Sequence, residues 1–96
     1  MKLVLCSMKD RAADAFARPM FVPSIGVAIR SFSDEVNRQA DDNQLYQHPD
    51  DFDLYDLGIF DDSNGKFELH DEPKQIAIGK IICFGLIKCL KINVYA

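Results

Sequence analysis

The sequence contains no tryptophan and only two histidines, His48 and His70. Neither histidine is followed by a second ligand at a zinc spacing, so no metal site of that pattern is expected. No glycine-rich phosphate loop occurs, because the five glycines stand far apart. The three cysteines, Cys6, Cys83 and Cys89, are an odd number set in apolar stretches, unlike the even framework of a small secreted domain. They are expected to be reduced core thiols. An uninterrupted apolar run reaches only from Ile81 to Ile87, short of the roughly twenty residues that a membrane-spanning helix needs. Lys9, Asp10 and Arg11 interrupt the apolar start too early for a signal peptide. Positive charge is also scarce: the net charge is −4, the wrong sign for holding nucleic acid by bulk electrostatics.

The charge that is present is unevenly placed. Met1 to Ala40 carries Lys2, Lys9, Arg11, Arg18, Arg30 and Arg38 against Asp10, Asp14, Asp34 and Glu35. Asp41 to Glu72 holds eleven carboxylates against Lys66 alone, and Lys74, Lys80, Lys88 and Lys91 follow with no acid. A polyanion would choose the two ends and avoid the middle.

Hydrophobic spacing predicts an α+β domain over residues 1–80, with a small, mainly antiparallel sheet and one main helix packed on it. Residues 81–96 form an apolar tail that packs on the domain or on a second subunit. Lys2 to Met8 reads as a central strand, Met20 to Val22 as a second, and Asp10 to Arg18 as a brief helix closed by Pro19. Ile25, Ala28, Ile29, Phe32 and Val36 recur as one buried helical stripe from about Ser24 to Asn37. Gly26 inside it suggests a close backbone approach, and Arg30, Asp34 and Arg38 stack on the opposite side. Asp41 to Asp51 is a polar connection with Leu45 and Tyr46 as anchors. Phe52 to Phe60 and Lys66 to His70 make a hairpin about the turn at Asp61 to Gly65, with Phe67 and Leu69 inward. The tail reads as a strand pair turning near Gly85, or as a segment against a second copy. Lys80, Lys88 and Lys91 give a membrane surface modest support as the rival.

Few groupings carry chemistry. Asp61, Asp62, Asn64 and Gly65 hint at a calcium loop, but counting back from Gly65 puts Phe60 where a carboxylate is required. His48 and His70 are flanked by polar residues and read as exposed. Cys6 lies in an apolar strand that disfavours a thiolate nucleophile. No catalytic residue, metal or cofactor is expected, and the chain reads as a non-enzyme. Lys9, Arg11, Arg18, Arg30 and Arg38, interleaved with Phe16 and Phe21, could hold single-stranded DNA by phosphate contact and base stacking. The plainer alternative makes Phe16 and Phe21 core residues and pairs Arg30 and Arg38 with Asp34.

Three blocks in order carry a resemblance: Ala15 to Pro23, Gly26 to Phe32, and His48 to Gly58 followed by Phe60-Asp61-Asp62. They resemble the small non-structural protein of gokushoviruses and related microviruses, single-stranded-DNA bacteriophages, over Met1 to about Lys80. The tail from Ile81 departs from that pattern. The resemblance implies an accessory protein of the host bacterial cytoplasm, labelled DNA-binding, that assists genome synthesis or packaging. The other function class is an adaptor that meets phage replication or capsid proteins through the acidic middle. With so small a core, a homodimer is expected.

Overall fold

The computed structural model describes residues 1–82 and has the expected α+β form. Strand β1 (Lys2–Asp10) is central in an antiparallel sheet. On one side it pairs with β2 (Ala15–Phe16) and β3 (Met20–Val22), on the other with β4 (Phe52–Asp61). β4 in turn pairs with β5 (Lys66–Ile78). Helix α1 (Ile25–Asn37) packs on one face of this sheet. The short helices α2 (Gln44–Gln47) and α3 (Gly79–Ile82) lie near the ends of α1 and β5. The tail beyond Ile82, with its proposed turn near Gly85, lies outside the described residues.

Helix α1 begins where Ser24 accepts the Val27 amide at 3.2 Å, satisfying a donor that the first turn leaves free. Ala28, Phe32 and Val36 are buried against Cys6, Leu54 and Ala77, with Ile29 partly buried beside them. Ile25, the first residue of α1, departs from the expected stripe at 40% exposed. Gly26 has only the Ser24 hydroxyl near an added Cβ, at 3.8 Å, so no close approach explains it. Arg38 pairs with Glu35 at 2.6 Å and not with Asp34, because an i,i+3 partner meets it as the helix ends.

The connection after α1 is better organised than its polar composition suggests. The Asn43 amide donates to the carbonyls of Glu35 and Arg38, and its oxygen accepts from the Leu45 and Tyr46 amides. One buried side chain therefore closes α1 and opens α2.

Three further differences follow from local chemistry. Asp10 to Arg18 is a turn leading into β2, not a helix: Asp10 accepts the amides of Ala12 and Ala13, and Asp14 takes φ 53°. That local bonding competes with helical hydrogen bonds and folds the chain back. In β4, Leu57 is a bulge, since Cys6 pairs with Asp56 and Leu5 with Gly58. Gly58 there has φ 149°, and an added Cβ would collide with the Glu68 carbonyl oxygen. His70, expected to be exposed, is half-buried, with Nε2 3.1 Å from Oδ2 of the buried Asp56.

Phe67 and Leu69, expected to face inward, are 52% and 64% exposed. Strand alternation places them together on one face, but α1 covers the other. That open face holds the candidate site.

Candidate nucleic-acid interface

Along β1, Cys6 and Met8 point toward α1, so their neighbours Leu5, Ser7 and Lys9 point the opposite way. Cross-strand register extends that second face. Lys9 stands opposite Phe16, Leu5 opposite Phe21, Ser7 opposite Tyr55, and Leu3 opposite Phe60, which stands opposite Phe67. Five aromatic rings thus share the face that α1 leaves open.

The rings form two groups. Phe16 meets Tyr55 edge-on, with centroids 5.4 Å apart and planes at 76°. Phe21, Phe60 and Phe67 form a triangle with centroids 5.2, 4.8 and 6.3 Å apart. Phe16 is 42% and Phe21 51% exposed, so neither belongs to the helix-side core. Leu5 is buried on this face beneath its partner Phe21, and the Ser7 hydroxyl donates to the Ala17 carbonyl at 2.6 Å. That bond fastens the segment carrying Phe16 to β1.

The cations are more dispersed. Lys9 holds its ammonium 5.6 Å from the Phe16 centroid and 3.5 Å from Asp14. Arg11 sets Nε 3.3 Å from Oδ2 of Asp53, a carboxylate only 2% exposed whose other oxygen has no hydrogen-bond partner among the described residues. Arg38 is held by Glu35, and the hydrogen bonds that its guanidinium donates depress the Glu35 carboxyl below its ordinary range. Arg18 and Arg30 are exposed and have no ion pair among the described residues.

The structure therefore brings Lys9, Phe16 and Arg11 to one end of the sheet, with Arg18 two residues beyond Phe16. Phe21 joins a separate, cation-poor group, and Arg30 and Arg38 lie on the helix. Tyr55 and Phe60 join the candidate site without a signal in the sequence, and Phe67 joins it although its expected place is inward. Strict alternation would put Tyr55 and Phe60, five residues apart, on opposite faces, and the bulge at Leu57 brings them to one.

The family model described as Phage ORF5 protein matches residues 3–82. The chain belongs to the Phage ORF5 protein family. No curated protein and no solved structure matches it. The matched stretch of this phage ORF5 chain runs from β1 through α3 and includes the entire aromatic face. Among the described residues, no helix of the ORF5 chain is long and apolar enough to cross a membrane.

Proposed function

We propose that this ORF5 chain is a non-enzymatic accessory protein that binds single-stranded DNA during viral DNA synthesis or packaging in the host bacterial cytoplasm. The observation that carries the reading is the open sheet face, where Phe16 and Phe21 stand exposed beside Tyr55, Phe60 and Phe67. Each unstacked base that lands on an aromatic ring contributes about 1–3 kcal/mol without regard to sequence. Lys9 and Arg18 supply phosphate contacts beside Phe16. The likeness to the gokushovirus non-structural protein supports the same setting. Self-association belongs to the reading, because a −4 chain gains from presenting two copies of its few cations to one strand.

Anisotropy of a labelled single-stranded oligonucleotide at low salt tests it. Saturation in the micromolar range is expected, and no change at about 50 μM protein overturns it. The dispersal of the cations favours a second reading, because Lys9, Arg11 and Arg38 are already paired with carboxylates. In that reading the exposed Asp41, Asp42 and Asp50 engage a basic surface on a phage replication or capsid protein. Crosslinking during infection that captures such a protein, with DNA binding absent, is its expected result.

A further inference from the structure

We propose that β5 pairs edge-to-edge with β5 of a second copy, through residues 65–69, about a twofold axis at Phe67. The inference deepens the self-association named above by giving it a surface, and it does not require DNA binding.

Among the described residues, β5 has β4 as its sole strand neighbour, so its outer edge offers unpaired main-chain groups. Natural edges are commonly blunted by a run of like charge, a proline or a break in the strand. Here those devices occupy the far half alone: the ladder shifts between Leu69 and Lys74, and Pro73 supplies no N–H. The near half, Lys66 to Leu69, is regular and exposed.

Side-chain charge selects both the occupant and the register. An antiparallel pair about Phe67 places Lys66 of each copy opposite Glu68 of the other, giving two opposite-charge pairs, and sets Phe67 against Phe67. Moving the axis to Glu68 opposes the two Glu68 carboxylates, and moving it to Lys66 opposes two ammonium groups. Moving it to Leu69 sets Phe67 against Asp71 and enters the broken half of the strand. The sequence Lys-Phe-Glu is thus complementary to itself in one register.

That register keeps the same face of both sheets on one side. Each copy's group of Phe21, Phe60 and Phe67 then adjoins its counterpart, so the exposed Phe67 and Leu69 lose water contact. Two aromatic faces become one continuous platform.

Sedimentation velocity over a concentration series tests the pairing, using the full chain, Lys66→Glu, Glu68→Lys and the double swap. Each single change turns two attractive pairs into two repulsive ones and is expected to raise the dimer dissociation constant at least about fivefold. The double swap restores opposite charges and is expected to return it to within about twofold of the parent. Circular dichroism of each variant confirms the fold. A dimer insensitive to the single changes, or one that the double swap does not rescue, overturns the β5 pairing and leaves self-association standing. A monomeric parent chain overturns both.

Discussion

Lys9 and Phe16 stand directly opposite each other on β1 and β2, with the ammonium nitrogen 5.6 Å from the ring centroid. Under the proposed function, a base stacked on that ring would bring its own phosphate toward the same cation, and the two side chains would then act on one nucleotide. Phe16→Ala is expected to weaken single-stranded DNA binding by about fivefold to a hundredfold, the range that one stacked base accounts for. Phe16→Tyr keeps the ring and should bind within about threefold of the parent. Titration by anisotropy checks both, and unchanged affinity for Phe16→Ala would remove this ring from the interface.

The Asp14 carboxylate lies 3.5 Å from the Lys9 ammonium, where it would compete with a phosphate in the proposed DNA complex. Asp14→Asn removes the charge, and asparagine also tolerates the left-handed backbone at φ 53°. The variant is expected to bind single-stranded DNA more tightly at low salt. Its salt dependence should steepen by about 0.7 in the log–log slope, one further phosphate contact. The parent slope should be shallow, because Arg11 and Arg38 are occupied by Asp53 and Glu35. A parent slope of about −3.5, equivalent to five free cations, would contradict the arrangement.

Much of the fold was legible where side-chain period and burial agree. Phe32 and Val36 sit three to four residues from their neighbours on the stripe, and β1 reads as a central strand, paired along both edges. The misreadings arose where local hydrogen bonds or a missing layer decided the outcome. Asp10 bonds to the Ala12 and Ala13 amides, a short-range choice that alanine-rich composition conceals. Phe67 and Leu69 alternate as any half-buried pair does, and only the position of α1 shows that their side is open. At the candidate site, Lys9, Phe16 and Arg11 were identifiable from charge beside aromatics. Tyr55 was not, because it reaches Phe16 from β4, distant in sequence, and long-range register sets that contact.

Gly26 and Gly58 call for opposite outcomes on replacement by alanine. Gly26 lies within α1 with only the Ser24 hydroxyl 3.8 Å from an added Cβ, so Gly26→Ala is expected to stabilise the chain by about 0.5–1 kcal/mol. At Gly58, an added Cβ would collide with the Glu68 carbonyl oxygen and lie 2.8 Å from the Leu69 Cα, at a backbone φ of 149°. Gly58→Ala should therefore cost at least ~2 kcal/mol and disturb the β4–β5 ladder. Urea unfolding of both variants measures the difference, and equal midpoints would contradict the geometry at the bulge.

Cys6 gives the core a dependence on alkaline pH. Its thiol is raised above the ordinary value of 9.0, first by burial and then by the nearby Asp56 carboxylate. The folded chain therefore holds this proton more tightly than the unfolded chain does. Its contribution is fully present below the ordinary thiol value and is lost as pH rises from there through the raised folded value. Cys6→Ala removes the ionisable group, at the expense of a small cavity against Phe32 and Leu54. The variant should be less stable than the parent at neutral pH, but its urea midpoint should fall less between about pH 8 and pH 10. The raised amino group of Met1 acts in the same direction and is common to both proteins, so the difference between the two slopes isolates Cys6. Parallel slopes would show that the buried thiol stays protonated equally well in both states, contrary to its enclosure between β4 and α1.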